Sequence, residues 1–275
     1  MNCRICGQPT PAGFLKRGYE VRRCRQCGYL WMVANGETPP VDYSKLYGET
    51  YYGGGEGLPD GISRYDLSDI LESKMPQARA AVQLVRQFKQ GGRLLDIGCS
   101  AGVFVKAARD AGFDASGIDV SEVAVRFARE QLGVEARATT LEAADFGAGS
   151  FDAITMWDVL EHFEDPWRAL QTMDEWLAPG GVLALRTPNT RCLRTRLCGY
   201  PAWDMISPPE HYHLFARQSL TMFLNQFDFS VVHLATVHSD WIYYRRVPAW
   251  KKFPFHLSGA VGWGGDLVAI ARRHV

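Results

Sequence analysis

The stretch Leu94–Phe104, which reads LLDIGCSAGVF, constrains the fold of this chain more than any other. An apolar run ends at Asp96, and two glycines, Gly98 and Gly102, then lead into a helical pattern. A strand, a glycine-rich turn and a helix N-terminus in this order form a nucleotide cradle in α/β sheets. Gly98 allows a tight turn along which a ligand can lie, and Gly102 lets the helix pack close to the strand.

Strand and helix patterns alternate on the C-terminal side of this stretch. The predicted strands cover 93–97, 114–119, 134–138, 151–157 and 182–186. Predicted helices lie at 66–89, interrupted by Pro76, and from Ser121 to about Leu132; the turn 178–181 precedes the fifth strand. Alternation of this kind favours an α/β fold with a doubly wound, mostly parallel sheet over 66–275.

Two Cys-x-x-Cys pairs lie near the N-terminus, Cys3 with Cys6 and Cys24 with Cys27, with 17 residues between the pairs. This spacing predicts a four-thiolate zinc site in a module over 1–34. Because four thiolates close the coordination sphere, we expect a structural zinc ion that supplies stability a short segment cannot obtain from burial. Unpaired free cysteines and a redox pair are the alternatives.

The predicted zinc module is basic, although the whole 275-residue chain has a formal net charge of +0. Residues 1–31 include six basic residues and one acidic residue. The basic residues are Arg4, Lys16, Arg17, Arg22, Arg23 and Arg25. These basic side chains either form a face that contacts phosphate, in a nucleotide, a nucleotide-linked substrate or RNA, or they are simply solvated. The neutral total charge argues against a general nucleic-acid binder, so no DNA partner is expected.

Two segments are rich in aromatic residues and lack a clear period. The linker 35–65 carries Tyr43, Tyr47, Tyr51 and Tyr52, which either form a lid or pack onto the main domain. The stretch 241–256 is aromatic and basic, and a cap over the substrate, a membrane-surface patch and a homodimer contact are all open, with the cap preferred. Neither a secretory leader nor an apolar run near 18 residues is present, so we expect a cytoplasmic protein without a transmembrane segment.

The run D-I-G-C-S-A-G at 96–102 resembles motif I of class I S-adenosylmethionine-dependent methyltransferases, D-x-G-x-G-x-G. Ser100 stands where the middle glycine of that motif usually falls. The resemblance extends over about 75–272 and includes further matches, namely Asp119, Asp145-Phe146, D-V-L-E-H at 158–162 and L-A-P-G-G at 177–181. It implies a Rossmann-like sheet and S-adenosylmethionine as cofactor.

The resemblance also implies a role for each matched position. Gly98 and Gly102, with Cys99, would flank the methionine and ribose part of the cofactor, and Asp96 would orient the loop or the amino group. Asp119, followed by Val120, would hold the ribose diol. Asp145 would accept the adenine amino group, with Phe146 beside the ring, and Trp157 would lie where methyl group and substrate meet. These residues form the predicted cofactor site.

Two further groups are candidates for acceptor chemistry. Glu210, His211 and His213 lie after the fifth strand, where a similar E-H motif occurs in related small-molecule enzymes, and a histidine there can deprotonate a hydroxyl near neutral pH. Alternatively these histidines anchor a loop. Asp158, Glu161 and His162 resemble the D-x-x-E-H run of ubiquinone-type O-methyltransferases, where a divalent cation can bind, but metal-independent relatives share that run.

We therefore expect an S-adenosylmethionine-dependent methyltransferase with an N-terminal zinc ribbon. The combination resembles sugar methyltransferases that act on nucleotide-linked sugars, so the favoured acceptor is a hydroxyl or an activated carbon of a sugar or secondary metabolite. An RNA or protein methyltransferase that uses the ribbon for recognition is the first alternative. A non-catalytic scaffold that only holds the cofactor or a partner is the second.

Overall fold

The computed structural model describes residues 1–33, 42–48, 67–238 and 262–274. The expectations for Tyr51, Tyr52 and the stretch 241–256 therefore lie outside the described residues. Eleven strands are present in the described part: β1 (Phe14–Lys16), β2 (Tyr19–Arg23), β3 (Leu30–Val33), β4 (Gly92–Ile97), β5 (Phe113–Asp119), β6 (Glu135–Ala138), β7 (Phe151–Trp157), β8 (Leu177–Pro188), β9 (His213–Leu214), β10 (Phe229–Val237) and β11 (Asp266–Arg273).

The helices lie between these strands, as an α/β fold requires. They are α1 (Tyr43–Leu46), α2 (Leu67–Arg86), α3 (Val103–Asp110), α4 (Glu122–Leu132), α5 (Pro166–Trp176), α6 (Leu193–Cys198) and α7 (Arg217–Leu224), with a 3-10 turn at Leu160–His162. None of the helices in the described ranges is long and apolar enough to cross a membrane.

Seven strands form the main sheet, in the order β10-β11-β8-β7-β4-β5-β6. Strand β4 pairs in parallel with β5 on one side and β7 on the other. Leu94, Leu95, Ala153 and Ile154 are fully buried where these strands meet, which explains why the strands read as continuous apolar runs. The predicted α/β fold with a mostly parallel sheet is confirmed. The order of the strands changes direction at β4, and ligands of such sheets usually bind at the carboxyl ends of the strands near that point.

The chain divides into two compact units whose boundaries differ from those predicted from the sequence. One unit comprises 1–39, 157–170 and 185–272, and the other comprises 40–156, 171–184 and 273–275. We expected a separate module at 1–34, a linker at 35–65 and a domain at 66–275. The pairing of β3 with β9 joins the cysteine-rich segment to residues near 214.

The cysteine-rich segment forms a four-stranded antiparallel sheet in the order β1-β2-β3-β9. Leu30 lies opposite Leu214, and Trp31 lies opposite His213. A buried apolar cluster fills one face of this sheet and consists of Val21, Leu30, Cys192, Trp203, Ile206 and Leu214. This cluster thus joins side chains of the cysteine-rich segment with side chains of 192–214.

Several of the basic side chains in the cysteine-rich segment contact the same unit. Lys16 donates to the carbonyl oxygen of Trp203 over 2.6 Å. The guanidinium of Arg4 lies 3.9 Å from the centre of the Trp167 ring. That of Arg23 lies 4.2 Å from the Tyr200 ring centre. These contacts place part of the expected phosphate-binding face on the protein itself.

Two predicted features of the secondary structure differ from the observed ones. Helix α2 continues through Pro76, which is exposed, so that water can bond the Glu72 carbonyl that loses its helical partner. Strand β8 already begins at Leu177 and includes the predicted turn 178–181, although Gly180 adopts a left-handed φ of 72°.

Gly102 caps helix α3 with a left-handed φ of 77°. A Cβ atom at this position would lie 2.7 Å from the Cβ of Ala128 and 2.8 Å from a methyl carbon of Val134. The glycine therefore lets α3 pack closely against α4. We expected it to allow close packing of the helix on the preceding strand. Both the backbone conformation and the space require glycine here.

We predict that Gly102→Ala destabilises the protein more than Gly133→Ala does. Gly133 also has a left-handed φ, 61°, but a Cβ there would meet no atom within 4 Å. Gly133→Ala should therefore cost only backbone strain, about 1–2 kcal/mol. Gly102→Ala adds overpacking, which costs about 1–3 kcal/mol more. Urea unfolding of both variants measures the difference, and equal losses would contradict the close approach at Gly102.

Candidate functional site

The C-terminal ends of β4, β5 and β6 meet at one edge of the main sheet. Ile97 lies opposite Ile118, and Ile118 lies opposite Arg137. The loops that follow the three strands therefore begin at the same level. This edge carries predicted cofactor residues of the second unit: Asp96, Gly98, Cys99, Gly102, Asp119 and Val120.

The glycine-rich loop after β4 is tightly wound. The amides of Gly98 and Cys99 both donate to the carbonyl oxygen of Ile118, over 2.8 and 3.0 Å. Gly98 has a φ of 72°, and Ser100 has a φ of 49°, a left-handed conformation that serine adopts only at a cost in free energy. Ser100 therefore takes the backbone shape that the missing middle glycine would provide.

Asp119 holds this loop against the start of α4. One carboxylate oxygen accepts the amide of Ser100 over 2.7 Å, and the other accepts the amide of Ser121 over 2.8 Å. Burial raises the pKa of the Asp119 carboxyl above its usual value, and these backbone hydrogen bonds partly offset the rise. Since a carboxylate offers about four lone-pair sites, Asp119 keeps acceptor capacity for two hydroxyl groups.

Asp96 lies inside the sheet and is 2% exposed. Its carboxylate accepts the hydroxyl of Thr155, on β7, over 2.6 Å. Burial raises the pKa of Asp96 to about 8. Cys99 is also buried, which raises the pKa of its thiol, and it packs on Gly117, where a Cβ would lie 2.5 Å from the Cβ of Cys99. Both residues support the loop from below.

The two remaining predicted cofactor residues of the second unit, Asp145 and Phe146, precede β7 in the chain. Asp145 is exposed. The Phe146 ring packs edge-on against the rings of Phe151 and Trp176, and each pair of ring centres is 4.9 Å apart. The Arg137 guanidinium lies 4.3 Å from the centre of the Phe146 ring. Phe151 begins β7 and Trp176 ends α5, so this packing holds the Phe146 ring at the start of β7.

The described part of the linker is anchored next to the same loop. The hydroxyl of Ser121 donates to the carbonyl oxygen of Tyr47 over 2.6 Å, and it also accepts the amide of Ala124 as the cap of α4. Tyr43 and Tyr47 stack on each other with ring centres 6.0 Å apart. Residues 42–48 therefore lie at the end of β5, as either the lid or the packing interpretation requires.

Trp157 and Asp158 belong to the first unit, although β7 begins in the second. Asp158 has a left-handed φ of 60°, and its amide donates to the carbonyl oxygen of Arg186 over 3.0 Å. Both of its carboxylate oxygens accept hydrogen bonds from the Arg186 guanidinium. This pairing is bidentate and largely buried, so it fixes the Asp158 carboxylate in one orientation.

Glu161, His162 and His211 come together in the first unit. One carboxylate oxygen and one ring nitrogen from each histidine all lie within 4.8 Å of one another. Asp158 is not part of this group, because Arg186 binds it, and His211 takes its place. The set Asp158, Glu161 and His162 that we expected for a divalent cation is therefore corrected to Glu161, His162 and His211.

Other bonds orient the three members of this group. Nδ1–H of His162 donates to the carbonyl oxygen of Glu210 over 2.9 Å, and Nδ1–H of His211 donates to that of Met205 over 2.6 Å. Glu161 accepts the hydroxyl of Thr187 over 2.9 Å. Burial raises the pKa of Glu161 well above its usual value. Burial, together with the neighbouring His211, lowers the pKa of His162 to about 3.

His213 has a different role from the one we expected. Its Nδ1 accepts the hydroxyl of Tyr29, and its Nε2–H donates to the carbonyl oxygen of Glu164. The side chain is buried, and burial lowers its pKa to about 4. Because both ring nitrogens are bonded inside the protein, His213 is not placed to take a proton from a substrate. Glu210 takes part through its backbone carbonyl, which orients His162.

Arg186 and Thr187 are site residues that were not predicted from the sequence. A signal was present, since Arg186 interrupts the apolar run 182–185 at the end of a buried strand. A charged residue in such a place needs a partner, and here the partner is Asp158.

The four N-terminal cysteines lie together as expected. The sulfur atoms of Cys3 and Cys27 are 3.7 Å apart, and those of Cys6 and Cys24 are 3.5 Å apart. All four sulfurs lie within 4.8 Å of one another. The hydrogen bond between Cys3 and Cys27 lowers the pKa of the Cys3 thiol to about 5 and raises that of Cys27.

Comparison with known proteins identifies relatives of this chain. Two relatives are named ubiquinone biosynthesis O-methyltransferase. The one from Bordetella avium is 36% identical over 106 residues, covering 36% of this chain and 44% of that protein. The one from Xanthomonas campestris is 33% identical over 141 residues, covering 47% of this chain and 58% of that protein. The chain thus spans about half the length of the curated relatives it matches.

A solved structure shows the same fold at low sequence identity. The geranyl diphosphate C-methyltransferase of Streptomyces coelicolor, crystallised with Mg²⁺, geranyl diphosphate and S-adenosyl-L-homocysteine, superposes with a TM-score of 0.59 at 19% identity. The match covers 86% of this chain and 100% of that one. The family described as "Methyltransferase domain" matches residues 71–234, more than half of the chain. The chain therefore belongs to the methyltransferase domain family.

Proposed function

We propose that this protein binds S-adenosylmethionine and transfers its methyl group to a small-molecule acceptor. The observation that carries the proposal is the double hydrogen bond of Asp119 to Ser100 and Ser121, at the sheet edge where the strand order reverses. It holds a carboxylate and a wound glycine-rich loop side by side. That combination suits a ribose attached to a charged amino-acid part.

The residues at this edge fit the cofactor in their chemistry. Asp119 would accept the ribose hydroxyls, and the exposed carboxylate of Asp145 would accept the adenine amino group. The loop Gly98–Gly102, supported by Asp96 and Cys99, would follow the methionine part. When bound, S-adenosylmethionine supplies an electrophilic methyl group on a sulfonium.

The acceptor is proposed from weaker support. Relatives named for ubiquinone biosynthesis support a small molecule with a hydroxyl group as the acceptor. A hydroxyl or activated carbon of a sugar or secondary metabolite is the finer form of this proposal. An RNA or protein methyltransferase receives less support, because Arg4, Lys16 and Arg23 of the ribbon are held on the chain itself. A non-catalytic scaffold remains the alternative that binding without transfer would favour.

His211 is the proposed proton acceptor of the reaction. Its Nδ1–H is fixed by the Met205 carbonyl, so the basic nitrogen is Nε2. A second candidate role follows from the group Glu161, His162 and His211. Two histidines and a carboxylate, each oriented by an outer hydrogen bond, form a set that divalent cations favour. A cation held there would lower the pKa of an acceptor hydroxyl.

The four cysteines fit a zinc ion. Four thiolates at about 2.3 Å from a tetrahedral ion lie about 3.8 Å from one another. The distances of 3.7 and 3.5 Å between the paired sulfurs are close to this value. We therefore propose that Cys3, Cys6, Cys24 and Cys27 hold a structural zinc ion that orders the ribbon.

Binding of S-adenosylhomocysteine tests the cofactor proposal. By isothermal titration calorimetry, Asp145→Asn should bind at least about fivefold more weakly than the parent, because it loses a charged acceptor. Asp119→Asn should bind more weakly still, because it loses both a ribose contact and a loop contact. Asp114→Asn, on the exposed side of the same strand β5, is the matched control and should bind like the parent. Absence of binding to the parent would reject the proposal.

Titration with Mn²⁺, followed by electron paramagnetic resonance, separates the two roles of His211. If a cation binds at this group, protein with an intact ribbon takes up about one equivalent, and both His211→Ala and Glu161→Gln abolish the uptake. Asp158→Asn, outside the group, should retain it. If no Mn²⁺ is taken up, the remaining role of His211 is that of a base. His211→Ala should then lose methyl transfer in an acceptor screen with labelled cofactor, while its affinity for S-adenosylhomocysteine stays that of the parent.

Metal analysis tests the ribbon. Protein purified without added metal should contain about one equivalent of zinc, and Cys27→Ser should lose most of it, because three thiolates bind zinc more weakly than four. Cys198→Ser is the matched control, since Cys198 is exposed and distant in sequence from the four ligands. A zinc content below about half an equivalent in the parent would contradict a four-thiolate site.

A further inference from the structure

A basic cavity lies in the first unit, apart from the groups discussed so far. Its volume is about 490 Å³, within the usual range for small-molecule sites. Its wall includes three arginines, Arg191, Arg196 and Arg217, together with the polar Asn189 and Gln218 and the indole of Trp263. Among the residues that the structure describes, no carboxylate lines this cavity, although the chain as a whole is neutral.

The wall of the cavity is fixed by hydrogen bonds between two segments. The amide and side chain of Asn189 donate to the carbonyls of Gly265 and Gly264, over 2.8 and 2.9 Å. The amide of Leu193, the first residue of α6, donates to the carbonyl of Trp263 over 2.9 Å. The cavity is therefore built by backbone contacts and does not depend on surface side chains alone.

Two of the arginines are also held in place. Arg191 donates to the carbonyl of Gln26 over 2.9 Å, so the second Cys-x-x-Cys turn anchors it. Arg196 donates through Nε to the carbonyl of Arg191 over 3.2 Å, and its guanidinium lies 4.7 Å from the centre of the Trp263 ring. Within the described ranges, none of the three arginines forms an ion pair with an acidic side chain.

Like charges gathered around one cavity repel each other unless an anion neutralises them. A guanidinium presents several N–H donors in a planar fork that matches phosphate oxygens. Trp263 adds an apolar surface that is 39% exposed, suited to stacking a flat ring. A phosphate group joined to a ring satisfies both features at once.

We propose that this cavity is a binding site for a phosphate-bearing small molecule with a flat ring, such as a nucleotide. Arg196 and Arg217 bind the phosphate, and Trp263 contacts the ring. Arg217 begins helix α7, whose first amides add partial positive charge on the same side. This proposal does not depend on the methyl-transfer proposal, because none of its residues belongs to the cofactor edge or to the group Glu161, His162 and His211.

Calorimetric titration with pyrophosphate and with ADP tests the site, with S-adenosylhomocysteine present in excess to keep ADP from the cofactor edge. Both probes should bind the parent, and binding should weaken with rising salt. Arg196→Gln and Arg217→Gln should each weaken both probes at least about tenfold, as expected when a charge-assisted hydrogen bond is lost. ADP should bind more tightly than pyrophosphate.

Matched variants separate this site from general surface charge. Arg194→Gln removes an exposed arginine of the same helix α6 that pairs with Asp204 over 2.9 Å and does not line the cavity, so its affinities should equal those of the parent. Trp263→Leu should remove the advantage of ADP over pyrophosphate while leaving pyrophosphate binding unchanged. Circular dichroism confirms that each variant is folded.

Three results would overturn the proposal. They are no heat of binding with either probe at millimolar concentration, an equal loss in Arg194→Gln and Arg217→Gln, and an ADP affinity no higher than that of pyrophosphate. Because Asp119→Asn impairs only the cofactor edge, it should leave pyrophosphate binding intact. Failure of one site is thereby distinguished from failure of the other.

Discussion

The pairing of β3 with β9 determines the organisation of the first unit. The pairing covers only two positions, Leu30 with Leu214 and Trp31 with His213, but buried side chains extend it. Tyr29 is fully buried, stacks on Trp31 at 5.1 Å and donates its hydroxyl to His213. Without this pairing, the cysteine-rich sheet would end in an edge with unpaired backbone groups.

The pairing also supports the loop that carries the candidate acceptor group. The amide of Met32 donates to the carbonyl of Tyr212, and the amide of Tyr212 donates to the carbonyl of Glu161, over 2.9 and 2.8 Å. A continuous series of backbone bonds thus leads from the ribbon to the residue between His211 and His213.

The parts of this structure that were predicted well are encoded locally. The apolar run 151–157 predicts β7 with its observed bounds. Ser121 caps α4 because its hydroxyl accepts the amide of Ala124, which has no partner within the helix. The spacing of Cys3, Cys6, Cys24 and Cys27 was sufficient to predict their cluster, because two short turns bring thiols together on one side.

The features that the sequence analysis missed depend on contacts between distant residues. Strand β9 is two residues long, too short for any periodic signal, so neither the pairing nor the unit boundaries were predictable. The different roles of His211 and His213 also depend on this short strand, because β9 begins at His213 and its side chain is buried there. The capture of Asp158 by Arg186 joins residues 28 positions apart, and only the strand order β7-β8 makes them neighbours.

The late position of β9 in the chain has a consequence for synthesis on the ribosome. Tyr29 and His213 are 184 residues apart. At a translation rate of about 5–20 residues per second, the first three strands of the ribbon wait about 10–40 s for their fourth. During that interval the edge of β3 is open to other chains. Early capture of a metal ion by the four cysteines would give the nascent ribbon a stable shape before its last strand exists.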